Sequence, residues 1–235
     1  MRRSARHLTL LVSAIGALTS CSGQSSSSHW VGKTYLLDTP NIPGSAWTEP
    51  PGGVASAIGG DVPQFLIGVA AGSGNDLTIT LTTAINGVQD MCSPTTQVPA
   101  SGVNYPNIEI SAPNFPIHVV VTPPNPPDRQ AESTAHNVFF KNILPGDTAA
   151  KDGELDATVD ASELYTLFYQ LTNATKDNIC AQLDSIANTT GLCKVCDFNQ
   201  LPYCLTLHVV QIGATQTPTA IVPVLSGDID PSCHQ

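Results

Sequence analysis

Apolar and polar residues alternate with a period of two over much of the chain after residue 30, and this pattern is typical of β-strands with one buried face. The clearest case is LTITLTTAI at 77–85, whose first, third and fifth residues are apolar. Asn86-Gly87 follows directly, and this dipeptide is a strong short-range signal for a hairpin turn. The pattern therefore predicts an antiparallel hairpin in which residues 88–92 return against 77–85.

The same reasoning predicts further strands along the chain. They are 33–37, 65–70, 107–111, 115–122, 135–141, 154–159, 203–212 and 220–225. The period changes late in the chain, where apolar residues three or four apart predict two helices at 163–171 and 176–188. Asp160 is expected to cap the first helix.

The order of these elements predicts a fold class. Strands lie on both sides of one helical pair, and the chain lacks the regular alternation of strand and helix that a parallel sheet requires. We therefore expect a mainly β (α+β) protein, an antiparallel sandwich or partly closed barrel with a late helical pair stapled by disulfides. A single globular domain is expected over 31–235.

The first 20 residues have the pattern of an export signal. Three arginines precede an apolar segment at 8–17, which is too short to span a bilayer because a spanning helix needs about 20 apolar residues. The segment LTSC at 18–21 follows. It resembles the lipobox of bacterial lipoproteins, in which the cysteine, here Cys21, is acylated and becomes the first residue after cleavage.

The lipobox resemblance implies where the protein is found. Residues 1–20 would be a removed signal peptide, and residues 21–30 an acylated cysteine with a flexible serine-rich tether. Ser22 in place of an aspartate implies the outer membrane if the host is Gram-negative. The expected partner is then the membrane, contacted through acyl chains such as palmitate.

The charge balance excludes one class of partner. Three of the nine basic residues lie in the first 20, and all nineteen acidic residues come later, so the rest of the chain has a net charge of −13. Such an acidic chain does not suit nucleic-acid binding or direct electrostatic binding to anionic lipid.

Six cysteines follow the lipobox, and an even number in an exported chain predicts three disulfides. They are Cys92, Cys180, Cys193, Cys196, Cys204 and Cys233. The four between 180 and 204 are expected to pair among themselves, which leaves Cys92 for Cys233. The Cys193-x-x-Cys196 spacing also permits a zinc site with His208 nearby or a redox dithiol. Disulfides are the interpretation that we favour.

An acidic run at 152–163 resembles an EF-hand calcium loop. Its side-chain ligands would be Asp152, Glu154, Asp156, Asp160 and Glu163. Ala157 stands where the sharp turn of such a loop requires glycine, and a Pro-Gly pair precedes the run where an entering helix should be. A strand leading into a capped helix is the favoured interpretation, with weak calcium binding as the alternative. No cofactor is expected.

Motifs of known catalytic chemistry such as HExxH and GxSxG do not occur in the sequence. His118 interrupts an apolar strand, and we interpret it as a hydrogen-bonded or surface histidine rather than a catalytic base. Trp30 and Trp47 could line a ligand-binding mouth, but filling the core is the interpretation that we favour. The sequence therefore favours a non-catalytic binding or structural role toward a protein or an envelope polymer. An exported hydrolase-like enzyme with a site assembled from scattered residues is the alternative.

Overall fold

The computed structural model describes residues 26–50, 62–72, 76–121, 129–146, 150, 152–167, 173–230 and 233. Cys21 and the signal-like segment before it lie outside the described residues. Among the helices of the described part, none is long and apolar enough to cross a membrane.

The described part of the chain forms eleven strands and one α-helix. The strands are β1 (Thr34–Leu37), β2 (Trp47–Glu49), β3 (Gln64–Ala71), β4 (Leu77–Ile85), β5 (Val88–Gln89), β6 (Thr96–Asn104), β7 (Asn107–Val121), β8 (Arg129–Lys141), β9 (Gly153–Asp160), β10 (Cys204–Ile212) and β11 (Thr215–Thr217). The helix is α1 (Ile179–Ala187). The prediction of a mainly β protein is therefore confirmed.

All strands pair antiparallel in one curled sheet that forms a half-barrel. Their order is β11-β1-β3-β4-β6-β7-β8-β9-β10-β2, and β5 pairs with β4. The pairing register shifts near Asn137 on β8 and Gln211 on β10, and both residues have left-handed backbone angles, with φ of 52° and 59°. Bulges of this kind bend a strand and increase its twist, which helps the sheet to curl.

The predicted hairpin at 77–92 is present. β4 has the predicted bounds, and Asn86 and Gly87 have φ of 53° and 76°, as a type I′ turn requires. β5 ends at Gln89, earlier than the predicted residue 92.

Two strands predicted at 107–111 and 115–122 are one strand, β7. Pro113 and Pro116 lie within it and do not end it. β7 pairs with β6 only as far as Ile110, and beyond that point its ladder runs to β8. A strand side without a ladder partner tolerates prolines, because no backbone N–H is needed there.

The prediction of a strand at 220–225 is wrong, because this segment forms no ladder of backbone hydrogen bonds with a strand of the sheet. The side-chain amide of Gln89 bonds both backbone groups of Val222, donating to its carbonyl and accepting from its N–H, each at 2.7 Å. Residues 220–225 are therefore attached to the sheet by a side chain, where the prediction expected backbone pairing between strands. β2, β6 and β11 were not predicted.

The helix predicted at 163–171 is not formed over 163–167, because residues 161–167 are successive turns. Residues 168–171 lie outside the described residues. Asp160 Oδ1 accepts from the backbone N–H of Ser162 at 2.9 Å and from its hydroxyl at 2.6 Å. A side chain that binds the backbone two residues ahead stabilises a turn and competes with a helix. Asp160 therefore caps a turn. The second helix is present as α1 but begins three residues later than predicted.

The described part of the predicted tether is structured. Residues 26–29 form a 3₁₀ helix, and the Trp30 side chain is buried and donates from Nε1 to the carbonyl of Pro145 at 2.8 Å. The His29 ring stacks on Tyr105, with 4.3 Å between ring centroids. Trp30 and Trp47 are both buried, which confirms that they belong to the core.

Candidate functional site

An apolar cavity of about 70 Å³ lies inside the half-barrel. Its lining side chains are all aliphatic or aromatic. They are Trp47, Val62, Pro63, Phe65, Phe115, Ile117, Val119, Ala135, Val138, Leu155, Ala157, Val159, Ala161, Leu164, Leu167, Leu205 and Leu207. Most of them are inward-facing residues of the curled sheet, so the cavity is a part of the core that is not filled.

Small inward residues explain why this space exists. Ala157 on β9 lies opposite Leu207 on β10, and Ala135 on β8 lies opposite Phe115 on β7. Each alanine occupies a buried, alternating position where a strand in a filled core commonly carries valine, isoleucine or leucine. Because each side chain ends at a single methyl group, the facing residues do not close the gap between them.

Three of the lining residues are half-exposed, whereas the others are buried. Val62 and Pro63 lie just before β3, and Leu164 lies in the turns after β9. We call these three residues the rim. The rim is the part of the lining that is partly exposed to solvent.

The lining determines what the cavity can do chemically. Among the described residues, none that lines it has a titratable side chain, so they offer no general acid, general base or metal ligand. Binding would come from the hydrophobic effect, about 0.8 kcal/mol for each buried CH₂ group. The volume is about half that of an engineered apolar cavity of roughly 150 Å³ that accepts benzene. It therefore suits the end of an alkyl chain.

His118 has a separate, polar environment. Its Nδ1 lies 2.7 Å from Asp90 Oδ2, its Nε2 lies 3.2 Å from Gln130 Oε1, and both His118 and Asp90 are buried. The hydrogen bond to Asp90 raises the pKa of His118, the negative charges of Asp90 and Glu132 act in the same direction, and burial opposes them. The interpretation of His118 as a hydrogen-bonded histidine is confirmed.

Two other histidines lie on the outer face of the sheet. His208 on β10 bonds through Nδ1 to Asp156 on β9. His136 on β8 bonds to Asn114 at 2.7 Å and stacks on Phe198, with 3.6 Å between ring centroids. Burial lowers the pKa of His136, although the nearby carboxylates of Glu163 and Asp160 act against it. These contacts fix neighbouring strands and the disulfide loop to each other.

The six cysteines after the lipobox form three disulfides, and the predicted grouping of four close cysteines and one long-range pair is confirmed. They are Cys92–Cys233, Cys180–Cys193 and Cys196–Cys204. The two cysteines of the Cys193-x-x-Cys196 motif belong to different disulfides. The zinc and redox alternatives for this motif are therefore wrong in this state of the chain, because both need free thiols on one turn.

The five acidic residues of the EF-hand-like run are not brought together as in a calcium loop. Residues 153–160 are the extended strand β9. Its acidic residues Glu154, Asp156 and Asp160 lie on one face, but at about 3.3 Å per residue the first and last of them are roughly 20 Å apart. Glu154 pairs with Lys141 at 3.1 Å, Asp156 with His208, and Glu163 accepts from Ser133 at 2.6 Å. In this geometry the five residues do not form a calcium loop, because the ligands of one site would have to leave separate partners. Asp152 is exposed at the start of the run.

Comparison with protein-family models, with curated proteins and with solved structures finds no match. The site must therefore be interpreted from its own residues.

Sequence reasoning identified neither the cavity nor the Asp90–His118 pair. A signal for the cavity was present, because alanines at 135 and 157 interrupt the larger apolar residues on the inward face of two predicted strands. The pair had a weaker signal, since Asp90 and His118 are 28 residues apart and only the register of the sheet brings them together.

Proposed function

We propose that this protein is a lipid-anchored component of the cell envelope that binds the alkyl end of an apolar ligand without catalysis. The observation that carries the binding proposal is the cavity inside the half-barrel, with its apolar lining. The lipobox-like segment ending at Cys21 supports the location. The two parts of the proposal are independent, and each has its own test.

Linear alkyl chains are the favoured ligand class for reasons of size and chemistry. A cavity of about 70 Å³ holds a few methylene groups at most, so a larger ligand must keep its remaining atoms at or beyond the rim. A polar head group finds no hydrogen-bond partner inside, because the lining is apolar. Burying such a group unpaired would cost about 2–7 kcal/mol. A molecule with one apolar end and one polar end satisfies both conditions.

Displacement of a fluorescent alkyl probe tests the binding. We expect the probe to bind the full-length chain and to be displaced by lipids with alkyl chains. Ala157→Leu and Ala135→Leu place extra carbons in the cavity and should each weaken binding at least tenfold.

The matched control is Ala70→Leu, which makes the same change at an exposed position at the end of β3. Its affinity should equal that of the wild type. Equal probe affinity in all four proteins would mean that the probe binds elsewhere, and the binding proposal would be abandoned.

Acyl labelling tests the anchoring. Cells that express the chain are grown with a labelled fatty-acid analogue, and the protein is partitioned into a detergent phase. Labelling and partitioning should both be lost in Cys21→Ser and retained in Ser22→Ala. Undiminished labelling of Cys21→Ser would contradict the anchor without affecting the binding proposal.

A further inference from the structure

A group of potential metal ligands lies on the side of the sheet away from the cavity. Ile117 and Val119 line the cavity, and His118 between them faces the opposite side, as strand alternation requires. One donor atom each from His118, Asp90 and Cys92 lies within 4.8 Å of the other two. An imidazole nitrogen, a carboxylate oxygen and a sulfur are the donors that zinc takes in proteins.

Hydrogen bonds already orient two of these donors. The backbone N–H of Cys92 donates to Asp90 Oδ1 at 2.9 Å, and the Thr83 hydroxyl donates to Asp90 Oδ2 at 3.3 Å. Gln130 Oε1 accepts from Nε2 of His118 at 3.2 Å, which leaves Nδ1 facing Asp90. A ligating histidine in metal sites is held in the same way, because its other ring nitrogen donates to a carbonyl oxygen.

The sulfur of Cys92 is the donor that is not free, since it is bonded to Cys233. Cys233 lines an open cleft of about 250 Å³ together with His118, Gln130 and Glu132. A reductant or an ion therefore has a path to this disulfide from solvent. After reduction, Cys92 and Cys233 would supply two thiols beside the imidazole and the carboxylate.

We infer that reduction of the Cys92–Cys233 disulfide creates a zinc site whose ligands are Asp90, Cys92 and His118, completed by Cys233. A dithiol breaks the S–S bond: it is oxidised to its own disulfide, and its two hydrogens and two electrons convert Cys92 and Cys233 to thiols. Zn²⁺ then displaces one proton from each thiol and the Nδ1 proton from His118, and these protons go to solvent. The oxidised protein keeps the hydrogen bond between His118 and Asp90 and has no free thiolate at this place.

The distances are compatible with tetrahedral coordination. Zinc bonds of about 2.0–2.3 Å place ligand atoms roughly 3.3–3.8 Å apart, so the donors must approach one another by about 1.5 Å at most from their present separations of up to 4.8 Å. His118 Nδ1 and Asp90 Oδ2, now 2.7 Å apart, would separate slightly to admit the ion. These three donors need only small movements of side chains. Cys233 would move toward them once its sulfur has separated from that of Cys92.

The test compares zinc binding by the full-length chain before and after treatment with dithiothreitol, which is removed under nitrogen. Zn²⁺ is titrated against a chromophoric chelator, and Co²⁺ in its place reports tetrahedral thiolate coordination by absorption. We expect reduction to add one zinc equivalent that depends on His118 and has tetrahedral Co²⁺ bands, beside any zinc that the thiols of the other two disulfides bind. His118→Asn should abolish this equivalent, whereas His208→Asn, a matched change at another Asp-bonded histidine, should retain it.

A second variant covers the case in which His118→Asn fails to fold. Gln130→Ala keeps all four ligands and removes only the group that orients His118, so zinc affinity should fall about 10–100-fold. The other disulfides also yield thiols on reduction, and these could bind zinc without His118. Equal zinc affinity in reduced wild type, His118→Asn and Gln130→Ala, or no added equivalent on reduction, would overturn the inference.

Discussion

His118 on β7 and Asp90 after β5 are joined by a buried hydrogen bond, with 2.7 Å between Nδ1 and Oδ2, and they form an ion pair when His118 is protonated. The pair lies next to the disulfide that joins Cys92 to Cys233. The pair and the disulfide together connect the middle of the sheet to the C-terminal segment. In the same region, Gln89 bonds the backbone of Val222. A polar cluster on one side of β7 and an apolar cavity on the other give the two sides of the sheet different chemistry.

The His118–Asp90 pair predicts a pH dependence of stability. Its hydrogen bond raises the pKa of His118 above 6.5, so the stabilisation is complete below about pH 6.5 and is lost as the pH rises through the raised pKa. The free energy of unfolding, measured with urea, should therefore exceed that of His118→Asn most at low pH. The difference between the two proteins should shrink as the pH rises above 6.5.

His136 provides a control of opposite sign. Burial lowers its pKa below 6.5, so its neutral form is favoured in the folded state and its contribution is lost as the pH falls through the lowered pKa. The difference in unfolding free energy between wild type and His136→Asn should shrink toward low pH. A difference for His118→Asn that is constant from pH 5.5 to 9 would contradict the assignment of the ion pair.

The cavity predicts that a larger side chain can stabilise the protein. Ala157→Val adds two methyl groups at a buried position that faces empty space, and filling such space commonly raises the free energy of unfolding by about 0.5–2 kcal/mol. Leu155→Ala on the same strand enlarges the cavity and should lower it by about 2–5 kcal/mol. Urea unfolding measures both changes. Destabilisation by Ala157→Val would mean that the space is already filled.

The disulfides should differ in their contribution to stability. Cys92–Cys233 joins residues 141 apart in sequence and Cys196–Cys204 joins residues 8 apart. The chain-entropy relation gives about 5 kcal/mol for the first and about 2.5 kcal/mol for the second. Paired Cys→Ser variants, compared by chemical denaturation, should lose stability in this order. The reverse order would show that contacts around the short loop outweigh chain entropy.

Asp160 should stabilise a turn rather than a helix. It is buried, accepts two hydrogen bonds from Ser162, and accepts from Asn199 Nδ2 at 3.1 Å. Asp160→Ala leaves these donors without their acceptor and should cost about 1–3 kcal/mol, whereas the exposed Asp152→Ala should change stability by no more than about 0.5 kcal/mol. Neither difference should depend on calcium. A calcium-dependent loss in Asp160→Ala would restore the calcium alternative.

Local patterns in the sequence predicted the parts of the fold that depend on local chemistry. The alternation at 77–85 and the Asn86-Gly87 turn determine a hairpin by themselves. Segment 163–167 was assigned wrongly because helical spacing of apolar residues also suits turns that place Leu164 and Leu167 against a core. The Asp160 side chain decides between the two outcomes by bonding Ser162.

The candidate site could not be predicted because it depends on the register of the sheet. Nothing in the sequence shows that Ala135 and Ala157 line the same cavity, because the curled sheet brings them together. His118 and Asp90 meet only because the hairpin turns the chain back beside β7. The grouping of the disulfides, by contrast, followed from spacing, since four cysteines within 25 residues pair with one another, whereas the partners within that group did not.

Binding of an alkyl chain inside the half-barrel is tested by the affinity of the full-length chain for n-alkanols of increasing length, determined by isothermal titration. If the cavity takes the alkyl end, the binding free energy should improve by about 0.8 kcal/mol per added CH₂ until the cavity is full, and then level off. Ala157→Leu should reach this limit at a shorter chain. No dependence on chain length, or the same dependence in wild type and Ala157→Leu, would contradict binding inside the half-barrel.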